Sequence, residues 1–195
     1  MEKEKSKGTD MLNGSLAGKI IIFALPILLT SVVQQLFNSA DTAVIGRFGE
    51  KGALAAVGTN GEIAALIVSL SAGLSIGANV MISRLIGSGK QRDIPKAAGT
   101  AVLSSVIFGV ILAALGELVS KPLLALINTP EEIFSDALTY LQIYILSVPF
   151  LLIYDFGAAI FRSDGNSRTP LFILLVSGGI NVVLNLIFVI LLGMN

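Results

Sequence analysis

The sequence predicts an all-α class: a polytopic membrane helix bundle of about five transmembrane helices. Three observations carry that expectation. Hydrophobic residues make up 54% of the 195 residues and charged ones only 13%, against a charged fraction of about 25% in ordinary soluble domains; mean hydropathy is +0.85. Windows of the roughly 20 apolar residues that a bilayer-spanning helix needs recur along the chain. None of these windows alternates apolar and polar residues as a barrel strand does.

The elements follow in order. Residues 1–18 are mixed in charge, and no small-residue cleavage site follows a short apolar segment, so they are expected as a cytoplasmic tail ahead of a bundle over 19–195. The first span is drawn from Lys19 to Val44 and the second from Glu62 to Ile82. The third, Lys96 to Leu118, shares with the second a wealth of small residues that permit close helix approach. The fourth runs from Phe134 to Phe161. Ahead of it, Thr129, Pro130 and Glu132 have the order of N-cap, N1 and N3 in a capping box, so a helix is expected from Pro130 along the interface. The fifth is Pro170 to Leu192. Between them lie "GRFGEKGALAAVGTNG", "RLIGSGKQRDIPK", "SKPLLALINTPEE" and "RSDGNSRTP", each carrying Gly, Pro, Asn or charge and expected as connections. Pro26 and Pro149 fall inside spans one and four, where each removes a backbone donor; both helices are expected to kink, with Pro26 as a hinge.

With the N-terminus inside, ten of the thirteen Lys and Arg residues fall on the inner segments and three, Arg47, Lys51 and Lys121, on the outer ones. The positive-inside rule therefore predicts a cytoplasmic N-terminus in a cell membrane.

Asp41 continues an apolar pattern that resumes in "TAVIGRFG". A carboxylate at membrane depth costs about 2.5–3.5 kcal/mol on insertion scales and is a functional-site candidate; the alternative is a helix that ends near Ala40 with Asp41 solvated. Gln34, Asn38 and Asp41 share one helical face, a polar stripe expected to line a cavity. Asn181 and Asn185 share a face of the fifth span, where their amide oxygens suit a hard cation beside a carboxylate, or serve only to bond neighbouring helices. Asp155 is a third acid, placed on a transport pathway, or snorkelling from the inner end of its span, or paired with Arg162. Glu62 and Glu117 are expected as interface charges.

The composition excludes much else. With no cysteine and no histidine there are no disulfides, thiolate sites or imidazole relays, so no enzyme and no cofactor beyond a coupling ion is expected. A net charge of zero offers no nucleic-acid face. "GSGK" at Gly87 to Lys90 lacks the remaining Walker residues and is a turn. The partners expected are the lipid bilayer and a solute that crosses it.

Three blocks now stand in order: "ALPILLTSVVQQLFNSADTAVIGRFGEKGALAAVG", "GLSIGANVMISRLIGSGKQRD" and "AIFRSDGNSRTPLFILLVSGGINVVLNLIF". Together they resemble the MATE family of multidrug and toxic compound extrusion transporters. The resemblance implies a secondary antiporter that exports small organic, often cationic, compounds in exchange for protons or sodium, built from two six-helix lobes around a central cavity. It implies that Asp41 is the N-lobe carboxylate binding the coupling cation, Asn181 an amide beside it, and Pro26 the point at which the first helix bends. Where some members carry an aspartate four residues after that amide, this chain has Asn185. The site thereby has one carboxylate fewer with which to hold sodium, so protons are expected over sodium. The family continues past "VILLGMN" into a sixth helix and a C-terminal lobe, so the resemblance implies an N-terminal lobe fragment with that lobe as its missing partner. The alternatives are a lipid-linked oligosaccharide flippase of the same superfamily and a non-transporting membrane fragment.

Overall fold

The computed structural model describes residues 16–49 and 52–191. It is a bundle of five long helices: α1 (Leu16–Phe48), α2 (Ala53–Gly87), α3 (Ile94–Leu126), α4 (Glu131–Ser163) and α5 (Arg168–Leu186). A 3₁₀ turn at Gln91–Asp93 leads into α3, and a π-helical turn, Ile187–Leu191, extends α5. All five are long and apolar enough to cross a membrane, and no strand occurs among the described residues.

The number of spans agrees with the sequence expectation, but the helices are longer than drawn. The connection expected over "GRFGEKGALAAVGTNG" is mostly helical: α1 continues to Phe48 and α2 starts at Ala53. Asn60 is the reason this segment misleads. Its side chain is 1% exposed, and its Nδ2 donates to the carbonyls of Ala56 and of Ala137 on α4, each at 2.9 Å. A polar residue that reads as punctuation is instead a tie between membrane helices. Likewise α3 runs through Pro122 to Leu126, taking up half of the expected loop "SKPLLALINTPEE". The chain then reverses through Asn128, whose φ of 54° lies in the left-handed region that Asn tolerates. The expected capping box is displaced by one residue. Pro130 is the N-cap and makes no side-chain cap bond, while Thr129 Oγ1 is buried without a partner. The tail boundary also moves, since α1 begins at Leu16; the rest of the expected tail lies outside the described residues.

The central helix is α4, which packs along α2 on one side and α3 on the other, while α1 pairs chiefly with α5. Ala56 and Ile63 of α2, Ala113 and Leu124 of α3, and Ala137, Leu141 and Ile145 of α4 form the buried core. Polar ties run the length of the α2–α4 seam. Beyond Asn60, Ser71 donates to Asp155 at 2.5 Å and Asn79 Nδ2 donates to the Ala159 carbonyl at 2.9 Å. In hydrocarbon, where water offers no competing partner, such bonds fix the register of the two helices. The α3–α4 seam closes through glycine: Gly109 lies against the Pro149 backbone and Gly116 against Ile145.

Both α1 and α4 stay helical through Pro26 and Pro149. Thr30 Oγ1 donates to the Pro26 carbonyl at 2.7 Å, one turn beyond the place where the proline leaves the helix ladder without an N–H donor.

Candidate functional site: a carboxylate held between α1 and α5

The α1–α5 pairing depends on one close approach. Gly178 of α5 is buried, and a Cβ there would overlap the Phe37 ring of α1, so the absence of a side chain lets the two helices meet at this level. Asp41 lies one turn beyond Phe37, while Asn181 and Asn185 lie one and two turns beyond Gly178. The contact therefore sets the register that brings the acid to the amides.

Asn185 Nδ2 donates to Asp41 Oδ1 at 2.8 Å. With its amide nitrogen turned inward, Asn181 donates to both carboxylate oxygens, at 3.2 Å to Oδ1 and 3.0 Å to Oδ2. Hydrogen bonds to a charged group contribute about 1.5–3 kcal/mol each. Asp41 is half-buried and within α1, which continues to Phe48; the alternative of a helix ending near Ala40 is excluded. An asparagine amide offers donors on one side and an acceptor on the other. Turning either amide over would present its oxygen to Asp41, and the two oxygens then need a proton or a cation between them.

Among the described residues the site also draws on α4. Tyr140 lies within electrostatic reach of Asp41 and stacks on Tyr144, with ring centroids 6.4 Å apart and planes at 16°. Sequence reasoning missed both rings. The available signal was their spacing of four residues, which stacks two of the chain's three tyrosines on one face of α4.

Other expected residues do not join this cluster. Gln34 is half-buried and Asn38 exposed on the turns of α1 before Asp41, and Asn38 serves through its backbone, accepting from Thr42 Oγ1 at 2.8 Å. Asp155 belongs to the α2–α4 seam: it accepts from Ser71, with the Arg162 charge within electrostatic reach, while Arg162 Nε is buried without a hydrogen-bond partner. Glu117, expected as an interface charge, is on α3 and not in a connection. It lies in the body of α3, nine residues before Leu126, with Oε1 buried and unpartnered. No group of three or more acidic side chains able to hold a metal ion occurs among the described residues.

Comparison with known proteins points to one family. The chain is 29% identical over 173 residues to the probable multidrug resistance protein YoeA of Bacillus subtilis, covering 89% of this chain and 37% of that protein. It is 30% identical over 167 residues to the probable multidrug resistance protein NorM of Thermotoga maritima, covering 86% and 36%. The structure superposes with a TM-score of 0.88, at 25% identity, on a multidrug resistance MATE family transporter of the MOP superfamily solved in an outward-facing conformation, covering 98% of this chain and 42% of that one. The chain thus spans about two-fifths of the length of these relatives. The MatE family model matches residues 26–187, a stretch holding Pro26, Asp41, Asn181 and Asn185: the chain belongs to the MatE family, a family of membrane transporters and not of enzymes.

Proposed function

We propose that this chain is part of the N-terminal lobe of a cation-coupled exporter of small organic cations, and that Asp41 is its coupling carboxylate. One observation carries the reading: an acid on an apolar helix long enough to span the membrane, whose contacts are two amides able to reverse their polarity, at the seam where α1 pairs with α5. With Asp41 charged, both asparagines donate and α1 is tied to α5. When a proton or cation binds, the amides must turn or withdraw, and the tie changes. Antiport needs such a difference, because ion and solute shift a conformational equilibrium only by the margin with which each prefers one state. A second lobe completes the cavity; the length of the relatives supports this. The names of YoeA and NorM support a drug-like solute. A flippase would need cations to hold a pyrophosphate, and the described cations gather at helix ends.

The ion is tested by asparagine-to-acid exchange. In the complete transporter reconstituted in vesicles, efflux should respond to an imposed pH gradient and little to sodium. Asn185→Asp should raise the sodium response several-fold, because a second carboxylate holds a hard cation where one carboxylate and an amide do not. A sodium response equal in both proteins overturns the proton assignment.

Pro26 supplies the bend in this reading, since the missing ladder bond lowers the cost of opening α1 at that turn. Pro26→Ala should leave membrane insertion intact and slow efflux; efflux at the parent rate would leave Pro26 a packing residue only.

The cation bias supports an inner-membrane protein with a cytoplasmic N-terminus. Single cysteines at Gln91 and Asp164, both exposed, should resist an impermeant thiol reagent outside intact cells, while one at Lys121 should label readily. Ser167, although in an expected loop, is 4% exposed and donates to the Phe23 carbonyl at 2.9 Å, so it is a poor reporter. Labelling at Gln91 and protection at Lys121 would invert the topology.

A further inference from the structure

Far from Asp41, the ends of α4 and α5 enclose an apolar groove of about 180 Å³, lined by Ile153, Tyr154, Gly157, Ala158, Phe161, Pro170 and Ile173. Its floor is fixed by the Tyr154 hydroxyl, which donates to the Pro170 carbonyl at 3.3 Å. Gly157 keeps it open, since a Cβ there would meet nothing within 4 Å. Ile153, Phe161 and Ile173 are exposed along its rim, so the groove opens sideways to the surroundings of the bundle. An apolar cavity of about 150 Å³ accommodates a benzene ring; this one accommodates a segment of hydrocarbon chain.

Arg162 stands at one end of the groove. It lies on the same face of α4, one turn beyond Ala158 and two beyond Tyr154, within electrostatic reach of Tyr154. Its Nε is buried and makes no hydrogen bond. A guanidinium donor left unmatched inside a protein is costly and calls for an acceptor. The preceding carboxylate on α4, Asp155, is within electrostatic reach of Arg162 but takes its hydrogen bond from Ser71, and Asp164 follows in the turn to α5. The same end of the bundle gathers Arg84, Lys90, Arg92, Lys96 and Arg168, against Asp93 and Asp164, which leaves it strongly cationic.

We infer that this groove is a binding site for an anionic phospholipid, with one acyl chain lying along Tyr154, Gly157 and Phe161 and the phosphate accepting from the Arg162 guanidinium. Basic pockets between transmembrane helices on the cation-rich side are the usual chemistry of such sites. Arg162 matches a phosphate through its planar fork of donors, and the apolar lining matches the chain, so the two halves of the site recognise the two halves of one amphiphile. Neither half depends on the coupling role of Asp41.

The test is native mass spectrometry of the protein in a mild detergent, titrated separately with dioleoyl phosphatidylglycerol, dioleoyl phosphatidylcholine and inorganic phosphate. One basic residue near an anionic headgroup contributes about 1 kcal/mol, so phosphatidylglycerol should be retained about fivefold better than phosphatidylcholine. Arg162→Gln should erase that preference, Arg162→Lys should keep most of it, and Arg168→Gln should leave most of it. Gly157→Trp, which fills the groove, should reduce retention of both lipids. Inorganic phosphate should not compete at concentrations that leave the lipid soluble. The lysine variant keeps the test decisive should the tryptophan variant misfold. Equal retention of the two lipids by the parent, an undiminished preference in Arg162→Gln, displacement by phosphate alone, or retention of neither lipid because another helix fills the groove would each overturn the assignment.

Discussion

Asp41→Asn in the complete transporter is expected to abolish efflux driven by an imposed ion gradient while leaving membrane insertion and downhill solute equilibration intact. The replacement is nearly isosteric, and its amide oxygen still accepts from Asn181 and Asn185, which bond the carboxylate in the parent. The α1–α5 pair is further held by Phe37 seated over Gly178, so the fold has no reason to fail. What disappears is the charge that a proton or cation neutralises. Without it the two conformations no longer differ in ion affinity, and the coupling free energy, about 1–3 kcal/mol in typical linked systems, falls to zero. Such a coupling corresponds to a change of about 5- to 150-fold in the affinity for one ligand when the other is bound. Size-exclusion chromatography of the variant separates a coupling defect from a folding defect. Parent-rate efflux under the same gradient would reduce Asp41 to an acceptor that pairs two helices.

The number of spans was legible because only hydrophobic length decides it, and each window carries enough apolar residues to cross a bilayer. Helix ends were not. Rules that stop helices in water rely on solvent to satisfy freed backbone groups, whereas in a membrane the neighbouring helices do so. Hence Asn60 and Pro122, which read as breaks, lie inside α2 and α3. The same limit explains the site. The spacing of Asn181 and Asn185 was visible in the sequence, but their pairing with Asp41, 144 residues away from Asn185, came from a family resemblance and not from periodicity. Tyr140 was missed and the partner of Asp155 left open because the polarity of a helix face does not say which neighbour covers it. Asp155 accepts from Ser71 on α2, and Tyr140 lies within electrostatic reach of Asp41 on α1. Gly178 was unremarked as one glycine among 20 in the chain; its role appears only once Phe37 is seen against it.

Gly109 carries the largest expected effect on stability. A Cβ at this position would lie 2.6 Å from the Cα of Pro149 and 3.2 Å from its Cβ. The first is backbone, so no rotamer change relieves the overlap, and α3 and α4 must separate. Their seam continues through Gly116, where a Cβ would fall 3.1 Å from an Ile145 methyl, and through the core residues Ala113, Leu141 and Ile145. Separation at Gly109 therefore loosens the packing of α4, the helix on which both α2 and α3 rest. Gly109→Ala should lose about 1–3 kcal/mol, the usual cost of overpacking, and Gly109→Leu should yield little folded protein. Gly99, ten residues earlier on the same helix, is the control, because a Cβ there would meet nothing within 4 Å. Gly99→Ala should be neutral or stabilise by about 0.5–1 kcal/mol through helix propensity alone. Thermal unfolding in detergent, followed by the loss of the monodisperse peak, ranks the three variants. Equal tolerance of alanine at both positions would show that α3 and α4 do not meet through Gly109 and Pro149. It would also return Pro149, whose backbone is placed in that crossing, to the role of a helix bend that the sequence alone suggests.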